Sequence, residues 1–483
     1  MTNTLTSPTE LFLDGTWSGG GAGTFTAVNP STGGAITEIA SADARDVDTA
    51  VAAATRALHG DWAAVPPPAK GALLNKLADL VERDAETLAR LEALELGVPF
   101  GFANALFVPN LVGSLRYYAG WADKINGEVL SSASYFGAPT HAYTRREPIG
   151  VIAAIVPWNA PLMILGWKLA PALATGNAVI VKPAEDATLS ILHLAKLVQE
   201  AGFPAGAVQV LPGIGAVTGE ALAVHPGVHK VSFTGSTETG RRILRNSAGN
   251  FKRTTLELGG KSPQIVFEDA DLPAAIQGAA MGLFSNQGQV CAAGTRVLVH
   301  RDVYSAVLDG LKEAAEAQVV GDPFDRATTM GPLVNASQRD KVLGYVEKGR
   351  AEGATLVTGG SPVDGPGFFV NPAVFAGTNE HTIAREEIFG PVGTVIPFDT
   401  DAEAVALAND NDYGLAATVW TTDLGRAHSV SAALQAGAIG VNGWSPLGPQ
   451  LPWGGLKASG VGRELGYEGV LANTEVKTVT IVL

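Results

Sequence analysis

A chain of 483 residues, 46% hydrophobic and 17% charged, is long enough for two or three domains with large cores and too apolar for wholesale disorder. A net charge of −14 argues against nucleic acid or an anionic membrane surface as partner. The single cysteine excludes an intramolecular disulfide framework and fits a reducing compartment, and MTNTLTSPTE lacks the basic and apolar regions of a secretory signal, so a cytoplasmic location is expected.

Residues 10–40 read as short strands and turns, LFLDGTW and then NPSTGGAI. Amphipathic helical patterns follow over 44–59, 70–96 and 102–125. Residues 127–146 turn strand-like and could project as a hairpin. The charge-free stretch 148–167 is broken by Pro157, Asn159 and Pro161, which suits a buried strand and turn better than a membrane span.

From Ile149 strands and helices alternate. Strands are expected at 150–156, 178–182, 207–211 and 230–233, with helices at 162–175, 189–201 and 216–225 between them. Such alternation implies right-handed crossovers and a parallel sheet covered on both faces, as in nucleotide-binding α/β domains. A second series follows Gly260: PQIVF, RVLVH, VGTVIPF, AATVW and GAIGVN, with helices between. The chain closes on an alternating strand, TEVKTVTIVL, whose open edge needs a partner.

Cys291 lies in FSNQGQVCAAGTR, after a helical pattern started by Asp271 and Pro273 that breaks near Asn286–Gly288. A new element is expected just before the sulfur. A thiol at a helix start sits near unpaired N–H groups and the positive dipole end, which favours thiolate. A lone intracellular cysteine is otherwise a small buried hydrophobe, but this one follows a polar Asn-Gln-Gly-Gln run. Asn159, in the turn Pro157-Trp158-Asn159-Ala160-Pro161, is either a turn residue or a hydrogen-bond donor to an oxyanion. Glu257, among apolar residues and glycines in LELGGKSP, suits a general base of raised pKa, or else a hinge acid held by backbone N–H groups.

Four further stretches bear on cofactor contacts. Lys182 and Glu185 close a strand, where a carboxylate can accept ribose hydroxyls, although a surface ion pair reads equally well. FTGSTETG opens a helix, where N–H groups and Ser236 could meet a pyrophosphate. The run from Gly213 to Gly219 imitates the dinucleotide fingerprint with one residue too many, and 58 glycines make such matches easy. EEIFGPV, residues 386–392, joins an acid pair to an aromatic ring.

These motifs, in this order and over nearly the whole chain, resemble the aldehyde dehydrogenase superfamily. The resemblance implies an α/β fold of two doubly wound Rossmann-like domains plus a small β oligomerisation element. Residues 1–125 and 148–257 would form the NAD-binding domain and 258–465 the catalytic domain. Residues 126–147 and 466–483 would form the oligomerisation hairpin and C-terminal strand of a homodimer or homotetramer. Cys291 would be the nucleophile, Asn159 and the Cys291 N–H the oxyanion donors, and Glu257 the base, with Lys168 and Glu464 in a weaker proton-relay assignment.

For the cofactor the resemblance implies Ile155, Val156, Pro157 and Trp158 after the first strand, and Lys182, Ala184 and Glu185 at the adenosine ribose. Gly215, Gly219, Phe233, Thr234, Gly235 and Ser236 would border the pyrophosphate, and Leu258, Gly259, Glu387 and Phe389 the nicotinamide end. Glu185 would repel a 2′-phosphate, so NAD is expected over NADP; no metal is expected. The aldehyde tunnel would be lined by Ala160, Ile164, Trp167, Phe284, Val290, Ala292, Trp444, Leu447 and Trp453.

That lining has no Arg or Lys to clamp a distal carboxylate, and Ala160 is small where many relatives are aromatic. A bulky or long apolar aldehyde, aromatic included, is therefore expected. A betaine or amino aldehyde held by cation–π contact ranks second, ahead of a semialdehyde. Glu257 argues for hydrolysis of the thioester, since the CoA-acylating branch typically lacks it. A cofactor-independent cysteine hydrolase would need a histidine partner, and none of the eight histidines lies in a recognisable signature.

Overall fold

The five residues Val151–Ile155 are all buried, because they run through the middle of an eight-stranded sheet with apolar clusters on both faces. In this computed structural model, which describes residues 7–131, 135–444 and 447–483, five strands of that sheet are parallel. Chain order runs outward from Val151–Ile155 through Ala178–Lys182 to Val208–Val210, then returns to the other side as Lys230–Thr234 and Arg253–Glu257. Strand order thus reverses between Val151–Ile155 and Lys230–Thr234, and a crevice opens at their carboxyl ends, where sheets of this kind take ligands. Leu11–Leu13 and Thr16–Ser18 complete one edge. Gly460–Val461, within the span expected to be catalytic, completes the other against Leu256 and Glu257.

A seven-stranded sheet is built from the second series, with Pro263–Val266 between Arg296–His300 and Ala416–Trp420, all parallel. Here too the order reverses around the first strand, so both sheets are doubly wound, as expected. Thr474–Val482 pairs antiparallel with Thr140–Pro148 along its whole length, and Val129–Leu130 adds a third strand. Residues 132–134 of the expected hairpin lie outside the described residues. Among the described residues no helix is long and apolar enough to cross a membrane.

Several helices depart from their patterns. The long pattern over 70–96 is two helices, Pro67–Arg83 and Ala85–Leu96, because Asp84 leaves the helical conformation and accepts from Arg83 while bonding His193 at 2.7 Å. The pattern over 102–125 begins with a π turn at Ala103–Phe107 and ends at Ala119. That over 216–225 is a π turn, Gly215–Gly219, leading into Glu220–Val224.

The helix before the cysteine, Leu272–Phe284, is capped by Asp271 through the Ala274 N–H as its sequence predicts. The helix expected at Cys291 is absent. Asn286, Gln287 and Gly288 all take left-handed φ values (50°, 57° and 68°), and the chain then runs through a turn into Arg296–His300. A Cβ at Gly288 would strike the Gly390 carbonyl, so both its φ and the close approach require glycine.

Candidate active site

The polar run before Cys291 is scaffolding. The Asn286 amide donates to the carbonyls of Asn159 (2.8 Å) and Gln289 (3.3 Å). Gln287 donates to the carbonyls of Gly97 (2.7 Å) and Pro332 (3.1 Å), and the Gln289 side chain accepts from the Val334 N–H (3.0 Å). Each buried amide thus satisfies a loop that has no ladder of its own. Asn159 donates one N–H to the Gln289 carbonyl (2.9 Å), which brings its carboxamide to the residue two before the sulfur. An amide has two N–H donors, so one remains for an incoming oxygen.

Cys291 is partly buried and packs against the apolar cluster that contains Ala160 and Trp167. Burial, with the charges of Glu387 and Glu257, pushes its thiol up to about 12. That corrects the expectation of a thiolate favoured by a helix terminus: no helix starts there, and the nearby charges are negative.

Glu257 is the last residue of its strand and is 2% exposed, with neither carboxylate oxygen hydrogen-bonded among the described residues. Burial and the nearby Glu464 charge raise its pKa well above the ordinary range, against the pull of Lys168 and Arg463. It is therefore no hinge acid held by N–H groups. The chain after it closes the sequence gap to Cys291: a Cβ at Gly260 would collide with the Cys291 carbonyl oxygen. Behind it, Lys168 Nζ lies 2.6 Å from Glu464 Oε1, which also accepts from Ser232 at 2.9 Å. Both partners of this ion pair are buried.

At the crevice a cavity of about 180 Å³ is lined by Pro157, Trp158, Asn159, Thr234, Gly235, Ser236, Leu258, Gly259, Cys291, Glu387 and Phe389, and also by Gln338 and Lys341. Ser236 caps the helix Thr237–Ser247, so that helix's N-terminus faces the crevice. Phe389, at φ 59°, sets its ring edge-on to Trp158 with centroids 5.2 Å apart. Glu387 accepts from the Gly260 N–H at 2.9 Å. Burial raises its pKa, opposed by that bond and by Lys341 and Lys261.

Glu185 joins Lys182 (3.0 Å) to the Gly215 N–H (2.6 Å). Burial acts to raise its pKa, but Lys182 and the Gly215 N–H hold it below the ordinary value. Ile155 and Val156 are buried at the end of the first strand, the Phe233 ring lies where a Gly235 Cβ would point, and Gly219 closes the π turn. The site fits a dinucleotide: Thr234 Oγ1 is buried without a partner among the described residues, beside a capped helix terminus and an ionised strand-end carboxylate.

Of the expected tunnel residues, Ala160, Ile164, Trp167, Ala292 and Trp453 share one buried cluster, with Val290, Cys291 and Leu447 packed against it. Trp167 and Trp453 lie 6.1 Å apart, and the Trp167 indole donates to Asn110 at 2.7 Å. The Trp444 N–H reaches toward the Ala292 carbonyl at 3.4 Å. Phe284 is the exception. It packs with Val266, Leu283 and Val297 under the second sheet and lines a separate groove of about 1180 Å³ that includes neither Cys291 nor Glu257. Its tunnel assignment rests on position in the family resemblance, and an apolar residue at the end of a helix serves core as readily as tunnel.

Sequence reasoning missed Gln338 and Lys341, which stand three apart on the helix Ala336–Ala351. Gln338 donates to the carbonyls of Ile388 (3.0 Å) and Phe389 (2.7 Å), which ties that helix to the segment that bears Glu387 and Phe389. A Gln and a Lys on a largely polar helix look like any solvated face, so no local signal marks them.

A thiol and a buried carboxamide line one crevice of a doubly wound α/β fold, with an unpartnered buried acid close by. The pattern described as "Aldehyde dehydrogenase family" matches residues 17–479. The chain is 47% identical to human mitochondrial aldehyde dehydrogenase across 98% of this chain and 92% of that protein. It is 46% identical to retinal dehydrogenase 2 of Gallus gallus, again across 98% and 92%. The structure of the NAD+ complex of a Bacillus cereus aldehyde dehydrogenase superposes with a TM-score of 0.97 at 44% identity, covering 99% of this chain and 98% of that one. The chain belongs to the aldehyde dehydrogenase family and is an enzyme of aldehyde oxidation.

Proposed function

We propose that this enzyme oxidises a bulky or long apolar aldehyde, aromatic ones included, to the carboxylic acid with NAD. The carrying observation is an apolar cluster with two tryptophans beside Cys291, together with a buried Glu257 whose charge is felt at the thiol and whose oxygens are free to take a proton. The Cys291 sulfur, once deprotonated, adds to the carbonyl carbon, and the oxygen takes hydrogen bonds from Asn159 and the Cys291 N–H. Bound in the crevice, the nicotinamide supplies the acceptor for the hydride that leaves this carbon. Glu257 then removes a proton from water, which adds to the Cys291 thioester and releases acid and thiol. Lys168 and Glu464, paired behind Glu257, serve as the route for that proton.

In this reading the first sheet carries the cofactor and the second contributes the cysteine and Glu387. Glu185 stays ionised and disfavours a 2′-phosphate, which supports NAD over NADP. Retinal dehydrogenase 2 among the relatives agrees with an apolar substrate. A reducing compartment suits a lone reactive thiol.

The test is NADH formation by purified protein with NAD or NADP and four aldehydes: benzaldehyde, a long aliphatic aldehyde, betaine aldehyde and succinic semialdehyde. Cys291→Ala is the blank. Preference for either of the first two with NAD is the expected result. Preference for succinic semialdehyde would mean that a cation reaches the tunnel from outside the lining named above.

A further inference from the structure

The helix Ala85–Leu96 contributes nothing to the chemistry described, yet it carries two of the most deeply buried carboxylates of the chain. Glu92 is 0% and Glu95 2% exposed, three positions apart and so on one face. Glu92 Oε1 accepts from the Leu162 N–H at 3.0 Å, in the first turn of the helix Pro161–Ala174 that follows Asn159. Glu95 accepts from the N–H groups of Thr188 and Leu189, each at 2.9 Å, and of Ser190 at 3.4 Å. Those residues start the helix Leu189–Ala201, just past Glu185.

Neither of these helices caps itself. Ala160 has no polar side chain, and the Thr188 hydroxyl is turned back to the Ala184 carbonyl at 2.8 Å. Their first N–H groups would be buried orphans without the two glutamates. One residue beyond the same helix, the Gly97 carbonyl accepts from Gln287 of the cysteine loop at 2.7 Å. A single helix end therefore touches the turn bearing Asn159, the turn bearing Glu185 and the loop bearing Cys291.

We propose that Glu92 and Glu95 are positioning residues, Glu92 registering Asn159 against Cys291 and Glu95 registering the Glu185 turn for the adenosine ribose. The assignment rests on the functional reading above. The two acids differ in what they require. Glu92 uses one oxygen and leaves the other without a partner, and burial pushes it up to about 8, so a glutamine reproduces its neutral form. Glu95 accepts with both oxygens, so the amide NH₂ of a glutamine would face backbone N–H donors.

The experiment measures NAD binding without aldehyde by titration calorimetry, and then kcat and KM, for Glu92→Leu, Glu92→Asp, Glu92→Gln and Glu95→Gln, with melting curves as the control for folding. Glu92→Leu and Glu92→Asp should lower kcat by roughly tenfold to a hundredfold with NAD affinity unchanged, and Glu92→Gln should restore it. Glu95→Gln should weaken NAD binding roughly tenfold and leave kcat at saturating NAD near the parent value. Wild-type kcat in both Glu92→Leu and Glu92→Asp, or parent-like NAD binding in Glu95→Gln, overturns the proposal. So does a fall of kcat and affinity together in step with melting temperature. Failure of the parent protein to bind NAD would instead strike the functional reading.

Discussion

At the scale of single residues, burial raises the pKa of both groups proposed to react, the Cys291 thiol and the Glu257 carboxyl. With its thiol raised to about 12, little of Cys291 is thiolate near neutral pH. Alkylation by iodoacetamide, followed by intact mass on this sole cysteine, should therefore climb about tenfold per pH unit from pH 8 to 10. A plateau below pH 9 would show that the carboxylates near the sulfur do not control it. As the proposed base, Glu257 has to lose its proton, and its pKa is raised, so kcat should increase with pH as that proton leaves. Glu257→Gln should give one NADH per site in a burst, followed by turnover slowed by roughly a hundredfold or more, with an acyl adduct on Cys291 in the mass spectrum. A variant that keeps steady turnover without a burst would move the base elsewhere.

Elements here are joined by polar residues that lie outside the site. Asp269, just past Pro263–Val266, accepts from the hydroxyl of Thr421, from the N–H and hydroxyl of Thr422, from the Asp423 N–H and from Arg426. It thus ties two neighbouring strand ends of the second sheet to the helix Leu424–Ala433. Burial acts to raise its pKa, but these donors hold it down at about 2. The folded value lies below the unfolded one, so the stabilisation is complete above about pH 4 and disappears as pH falls to about 2. Asp269→Asn should cost about 1–3 kcal/mol at neutral pH by chemical denaturation, and its gap to the parent should close over that acid window. A gap that stays constant with pH would assign the effect to packing.

The helix starts read from sequence hold where the cap is local, as at Asp271, because Asp-x-Pro supplies both the acceptor and the first φ angle. The break at Asp84 could not be read, since no Gly or Pro marks it and its partner His193 lies over a hundred positions away.

At the scale of the whole molecule, the strand Thr474–Val482 has one edge unpaired among the described residues and exposes Val476, Ile481 and Val482. An apolar open edge is a template for another chain. If copies of the chain pair through this edge, the double variant Val476→Glu, Ile481→Glu should reduce the mass by light scattering toward that of one chain without lowering helix content. A parent protein with the mass of one chain, or a mass that the variant leaves unchanged, would overturn pairing through this edge.

The order of strands and most helices, the doubly wound class and the candidacy of Cys291, Asn159 and Glu257 for the site were legible in the sequence itself. Burial on both faces demands continuous apolar runs, and reactive groups come with recognisable neighbours. Only the tertiary structure decided what those groups experience. It turned the expected helix at Cys291 into a left-handed turn, raised the thiol instead of lowering it, sent Phe284 to the core and brought Gln338 and Lys341 to the cofactor cavity. It also assigned Glu92 and Glu95 to helix ends some seventy to ninety positions away. Period and propensity are properties of neighbours along the chain. A protonation state or a hydrogen-bond partner depends on which charges and carbonyls the fold brings near, and no local pattern carries that.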